Sequence, residues 1–167
     1  MSNLTLALNA LHKKDNFDCG ISMLNQYLHT QAKQDVKRKL SACFILADKD
    51  NVVKGYYTLS STSIKRENLP EQIIKKLPPS YYNLPATLLG RLAVDNTCKG
   101  QKIGELLLID ALKKCYESSL SSIGSMCVIV DPIDENAIQF YKKYGFVLLP
   151  GSGKMFLPMV TIGELFL

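Results

Sequence analysis

The feature that most narrows the possible folds is a single junction between residues 87 and 118. Thr87 to Val94 is an apolar, strand-forming run, and within a few polar residues it gives way to a helical pattern. There Ile103, Leu107, Ala111 and Cys115 recur four apart, which stacks them on one face of a helix running from about Gln101 to Ser118. A strand feeding directly into a long helix demands a sheet on which that helix can bury its apolar stripe. The residues beyond it fit. Ser125 to Val130 reads as a buried strand, and Asp134 is placed to cap a second helix, Glu135 to Tyr144, which Gly145 ends. Phe146 to Leu149 and Met155 to Val160 read as two further strands around a Pro150-Gly151-Ser152-Gly153 turn.

Upstream the pattern is richer in strand. Leu4 to Leu11 fits a short strand, and Ile21, Leu24, Leu28, Ala32 and Val36 imply a helix from about Cys19 to Lys39. Ala42 to Ala47 and Val52 to Ser60 are strands joined by Asp48-Lys49-Asp50-Asn51, a turn-forming tetrapeptide, so a β-hairpin is expected. Leu69 to Pro85 contains Pro70, Pro78, Pro79 and Pro85 around a short helical piece at Glu71 to Lys76, and reads as an irregular surface segment. The order predicts an α/β (α+β) fold with a mixed sheet and helices on both faces. With no repeat and no Pro/Gly/Ser-rich linker, residues 1 to 167 are expected to form a single domain.

Composition excludes several functions. No apolar run reaches the roughly 20 residues that cross a bilayer, and Met1-Ser2-Asn3-Leu4 does not open a signal peptide, so a cytoplasmic location is expected. Five scattered cysteines without a C-x-x-C pair argue against a disulfide framework or a zinc site, and with only His12 and His29 no metal site is expected. The net charge of +5 favours anionic partners such as nucleotides or RNA, although any single lysine can equally serve solubility.

The polar loop of the junction is the first candidate site. Lys99-Gly100-Gln101-Lys102 sits where a strand ends and a helix begins, with amide groups and the helix dipole available to an anion such as a pyrophosphate. Gly100 leaves room for close approach, and Lys99 and Lys102 add charge. A glycine-containing turn of this kind is also common as a purely structural element. At a helix start, Lys102 is expected to adopt an unstrained backbone.

The run "LLGRLAVDNTCKGQKIGELLL" resembles the acetyl-CoA-binding motif of the GNAT (GCN5-related N-acetyltransferase) superfamily, Arg/Gln-x-x-Gly-x-Gly/Ala. Aligned on Gly104, the pattern's first position falls on Lys99 and its first glycine on Lys102, so the chain departs at both. A second run, "DENAIQFYKKYGF", resembles the family's Asn-x-x-x-x-Phe-Tyr-x-x-x-Gly-Phe element, with three residues rather than four between Asn136 and Phe140. The resemblance implies the GNAT fold, a mixed, mostly antiparallel sheet of six to seven strands. It implies that acetyl-CoA binds along Leu92, Ala93, Val94, Lys99, Gly100, Gln101, Lys102, Ile103, Gly104 and Glu105, where two strands splay apart. Asn136, Phe140 and Lys143 would line the cofactor side of the second helix, and the amide of Val94 would meet the oxyanion.

Amide formation from a thioester needs a neutral amine, a stabilised oxyanion and a proton for the departing sulfur. Tyr141 holds the family's tyrosine position and is the expected catalytic proton donor, because a phenol of pKa about 10 stays protonated beside a thiol of about 8.5. Packing is the ordinary role of a tyrosine on such a helix. The strand from Leu88 to Leu92 carries no glutamate to act as a base. That suits an acceptor already largely neutral, an α-amine of pKa about 8 rather than a lysine of about 10.4.

Finally, "FDCGISMLNQYLHTQA", "VVKGYYTLSSTSI" and "KMFLPMVTI" extend the similarity over nearly the whole chain to the GNAT toxins of bacterial type II toxin–antitoxin modules. That resemblance implies acetylation of the α-amine of aminoacyl-tRNA, a ribbon-helix-helix antitoxin partner and a homodimer. Lys33, Lys37, Arg38, Lys65, Arg66, Arg91 and Lys142 are the expected phosphate contacts. A GNAT enzyme for a small amine or protein N-terminus, or a CoA-binding module without catalysis, would share most of these features.

Overall fold

A computed structural model describes residues 3 to 167. Its seven strands are β1 (Leu6–Ala7), β2 (Ala42–Ala47), β3 (Val53–Lys65), β4 (Asn83–Val94), β5 (Cys127–Val130), β6 (Val147–Leu148) and β7 (Met155–Pro158). They are ordered β1-β2-β3-β4-β5-β7-β6 in one sheet. The β4–β5 pair is parallel, whereas β1–β2, β2–β3, β5–β7 and β6–β7 are antiparallel, as the family resemblance implies. The helices are α1 (Ser22–Gln26), α2 (Ala32–Lys37), α3 (Glu71–Ile74), α4 (Ile103–Ser121), α5 (Glu135–Lys143) and α6 (Met159–Glu164). No described helix is long and apolar enough to cross a membrane. The chain divides into two compact units, residues 1–60 with 90–111, and residues 61–89 with 112–167.

In the first unit the expected hairpin forms, with Cys43 opposite Thr58 and Ile45 opposite Tyr56. The turn is closed by Asp48, whose Oδ1 accepts from the amides of Asp50 and Val52. β3 is longer than its sequence signal and is buried on both faces from Gly55 to Thr58. Tyr56 packs with Phe17, Leu24, Leu28 and Ala32 and donates its hydroxyl to the Leu24 carbonyl at 2.7 Å. Its neighbour Tyr57 points the other way and donates to Asp110 of α4 at 2.6 Å, sharing that carboxylate with Thr5. Period-two alternation thus places helices on both faces here. The helix expected over Cys19 to Lys39 runs from Ser22 to Lys37, with a π-helical turn at Tyr27–Gln31 joining α1 to α2.

The second unit builds on β5, all four residues of which are buried, as a strand covered on both faces requires. Ile64, Leu69, Leu84, Ala86, Cys127, Ile129, Leu149 and Phe156 form its core. Met155 to Val160 is a strand only as far as Pro158; residues 159–164 turn into α6 instead. The reason is tertiary. Met159, Ile162 and Gly163 are buried, and Gly163 lies so close to Tyr116 that a Cβ there would stand 2.6 Å from the ring.

Candidate active site

The junction loop is held by one carboxylate that sequence reading passed over. Asp95 is buried, caps a 3-10 turn at Asn96–Cys98 and accepts from the amide and hydroxyl of Thr97 at 2.9 and 2.7 Å. Its other oxygen accepts from the Asp18 amide at 3.1 Å. Burial alone would raise its pKa, but these hydrogen bonds outweigh it and hold the carboxyl below the usual range. The Asp95-Asn96-Thr97 side chains, with their capping chemistry, were the legible signal.

Beyond Asp95 the loop is open. Lys99, Gly100, Gln101 and Lys102 are exposed, while Ile103, Gly104 and Glu105, the first turn of α4, are partly covered. Gly100 has φ +82°, and a Cβ added there would meet nothing within 4 Å. Such an approach, followed by the backbone amides at the start of a 19-residue helix, fits a pyrophosphate. Two details differ from expectation. Lys102 is not in an unstrained helical conformation: its φ is +59°, the left-handed region that favours glycine. Here a lysine takes a backbone conformation that glycine adopts more easily. The Lys99 ammonium, expected only to add charge, donates to the Cys19 carbonyl at 2.8 Å and so also braces the neighbouring loop.

Upstream of this loop, the parallel ladder of β4 with β5 runs from Thr87↔Val128 to Leu89↔Val130, while β4 itself continues through Leu92 and Ala93 to Val94. Ala93 is buried, and its carbonyl would lie 3.2 Å from a Cβ on Gly55.

Tyr141 lies on α5. Asp134 caps the helix, accepting from the Ala137 amide at 2.8 Å. The far end is a Schellman motif: the Phe146 amide donates to the Tyr141 carbonyl, the Gly145 amide to Lys142, and Gly145 sits at φ +93°. This closure packs Phe146 edge-on against the Tyr141 ring, with centroids 5.3 Å apart. Tyr141 is buried, and burial raises its pKa well above that of a free phenol. The match to a thiol expected from resting values is therefore loosened, leaving a firmly neutral donor. On the same helix Asn136 and Lys143 are exposed, and Phe140 is partly covered and packs on Tyr141 and Tyr144.

The expected phosphate contacts fall into two groups. Lys33, Lys37, Arg38, Lys65 and Lys142 are exposed. Arg91 instead lays its guanidinium 3.5 Å over the Tyr27 ring, whose hydroxyl donates to Asp35 at 2.8 Å. Arg66 donates to the carbonyls of Pro78 at 2.7 Å, Ile74 at 3.1 Å, Leu77 at 3.3 Å and Tyr81 at 3.5 Å. Both arginines brace structure, a role that charge counting could not reveal.

Similarity to known proteins agrees with this geometry. Residues 39–148 match the family model of the acetyltransferase (GNAT) domain. The tRNA-acetylating toxin of Mycobacterium tuberculosis (strain ATCC 25618 / H37Rv) is 31% identical over 135 residues, 81% of this chain and 78% of its own. Among solved structures, AtaT complexed with acetyl-methionyl-tRNAfMet superposes with a TM-score of 0.89 at 33% identity, covering 98% of both chains. An AtaT mutant toxin bound to the C-terminus of the antitoxin AtaR and acetyl-CoA gives 0.81 at 29% identity, covering 97% of this chain and 96% of that one. The strand-to-helix loop, the capped tyrosine helix and the family match over residues 39–148 together make this chain a member of the GNAT acetyltransferase family.

Proposed function

We propose that the chain transfers an acetyl group from acetyl-CoA to the α-amino group of aminoacyl-tRNA, acting in the cytoplasm as a toxin that blocks translation. The observation that carries this reading is the similarity, over 98% of the chain, to a relative solved with acetyl-methionyl-tRNAfMet. In this reading residues 1 to 167 act as one acetyltransferase domain, and a ribbon-helix-helix antitoxin restrains it, as AtaR binds the relative AtaT. A homodimer is the proposed working state.

Bound acetyl-CoA supplies the thioester carbonyl that the amine attacks. The amides from Gly100 to Gly104 and the Lys102 ammonium hold the pyrophosphate, and the Val94 amide donates to the oxygen that gains charge. Leu92, Ala93 and Val94 present strand backbone to the pantetheine arm, and Asn136, Phe140 and Lys143 flank it. The C–N bond forms as the C–S bond breaks, the ammonium proton leaves to water, and the sulfur takes up a proton. Tyr141 donates a hydrogen bond that stabilises the departing sulfur without giving up its own proton, since its raised pKa resists ionisation, and the proton that sulfur takes up is the one the ammonium released to water. β4 offers no carboxylate base between Leu88 and Leu92, which favours an acceptor whose amine has pKa about 8. Exposed Lys33, Lys37, Arg38, Lys65 and Lys142 meet phosphates.

The test is incubation with labelled acetyl-CoA and charged tRNA. Label on the aminoacyl ester is expected; label only on free lysine, polyamine or protein overturns the substrate assignment. Tyr141→Phe should lower kcat roughly 10²- to 10⁴-fold with unchanged acetyl-CoA affinity, the range for loss of a proton donor. Full activity in that variant removes Tyr141 from the chemistry.

A further inference from the structure

β4 carries no carboxylate between Leu88 and Leu92, but it does carry a cation, Arg91, directly before the Leu92–Val94 backbone. Ala93 belongs to the buried cluster of Tyr27, Leu28 and Tyr56, and Arg91 lays its guanidinium 3.5 Å over the Tyr27 ring, so period-two alternation keeps both on the face that meets α1 and α2. The residue beneath the guanidinium is fixed at both ends. The Ala32 amide donates to the Tyr27 carbonyl across the π-helical turn, and the Tyr27 hydroxyl donates to Asp35 at 2.8 Å. Arg91 is itself only partly exposed. Among the described residues none accepts a hydrogen bond from it and no carboxylate comes within ion-pair distance, so its charge is held in place yet left unneutralised.

The titratable groups around Arg91 do not cancel it. Burial raises Tyr27 and Cys43 to about 12 and Tyr56 well above an ordinary phenol, with the Arg91 charge opposing each rise, so all three are neutral near pH 7. Asp35 is tied to the Tyr27 hydroxyl, His29 of the same turn bonds to the Phe17 carbonyl, and Lys14, which also acts on Cys43, is a further cation.

We propose that Arg91 stands in for the absent base: its fixed charge disfavours the ammonium form of the acceptor at the thioester, so that the amine arrives neutral. A cation beside an amine makes protonation of that amine costly, the device by which one ammonium group activates another. In the mechanism above the acetyl oxygen lies at the Val94 amide, three residues along the strand from Arg91. That is roughly 10 Å between Cα atoms, a span over which a partly buried charge still acts. The first proton leaves the ammonium to water before attack. Once the C–N bond has formed, the same field helps the nitrogen release its second proton to water, as the C–S bond breaks and the sulfur is protonated. The inference rests on the acetyl-transfer reading and supplies the step that reading leaves without a residue.

The experiment is the pH profile of single-turnover acetylation by the full chain at saturating charged tRNA and acetyl-CoA, from about pH 6 to about pH 9, the range that brackets an α-amine. Arg91→Gln should move the acidic limb up by roughly 0.4–1.5 pH units, the Coulomb shift for a unit charge about 8 Å away at an effective dielectric between about 20 and 80. Rates should therefore fall about 2.5- to 30-fold below the limb and converge with wild type above it. Arg91→Lys, which keeps the charge, should leave the limb near its wild-type position. Added salt should move the wild-type limb towards that of Arg91→Gln, and this shift tests the same field in the unaltered chain should the variant unfold. An unmoved limb with a raised KM for tRNA overturns the proposal in favour of a phosphate contact. A loss equal at every pH and shared by Arg91→Lys overturns it in favour of bracing alone. If label goes to an amine other than the aminoacyl ester, the substrate assignment falls, while the same profile on that amine still decides the role of Arg91.

Discussion

Lys102 allows charge and backbone conformation to be separated at one position. Its φ of +59° places an L residue in the left-handed region, at about 1–2 kcal/mol relative to the right-handed one. Glycine escapes that penalty but gives up about 0.5–1 kcal/mol to the freedom of its unfolded chain. Lys102→Gly and Lys102→Ala remove the same charge, so the difference between them reads conformation alone. The glycine variant should be about 0.5–1 kcal/mol more stable than the alanine variant, after the two terms are set against each other. In a chain of this length that corresponds to a gap in Tm of about 1–4 °C, accessible to thermal and urea unfolding. Both variants should lose acetyl-CoA affinity alike, by about 1.5- to 5-fold for one exposed charge, with the loss shrinking as salt is added. If alanine proves as stable as glycine, the left-handed conformation is not what shapes this loop. If only one variant loses affinity, the charge argument fails instead.

Other consequences follow from packing and protonation. Gly163→Ala should destabilise by about 1–3 kcal/mol, because the new Cβ would lie 2.6 Å from the Tyr116 ring, and urea unfolding will measure it. The folded His12 is kept neutral by burial, below its ordinary pKa, and its Nδ1 accepts from the Asn9 amide. The unfolded chain therefore protonates first, so this contribution is complete above pH of about 6.5 and is lost as the pH falls below it. In His12→Asn the fall in stability between pH 6.5 and 5 should be shallower, as denaturant midpoints across that range will show. Since burial raises the Tyr141 pKa, kcat should show no decline from phenol ionisation up to pH of about 10; a basic limb centred near the ordinary tyrosine value would contradict the buried placement.

Much of this molecule is written in local pattern. Strand-to-helix order, the Asp134 cap, the Gly145 stop and the Asp48 turn each depend on residues within a few positions of one another, and the structure builds each as expected. The two family motifs are local as well, which is why they point to acetyl-CoA before any coordinates. What sequence alone could not settle was every assignment that depends on a distant partner. Met159 and Val160, expected to end a strand, instead begin α6, where Met159, Ile162 and Gly163 are buried and Gly163 lies close to Tyr116. Arg66 and Arg91 show a bracing role that their charge does not reveal, Arg66 through the carbonyls of residues 74 to 81 and Arg91 through its stacking on the Tyr27 ring. Asp95 joins residues 77 positions apart through the Asp18 amide, and Lys102 shows its left-handed turn only when the loop is closed. Sequence determined which residues could form each element and which chemistry the motifs carry. Tertiary structure decided which charged groups also brace the fold, since the carbonyls and rings they meet lie far from them in sequence.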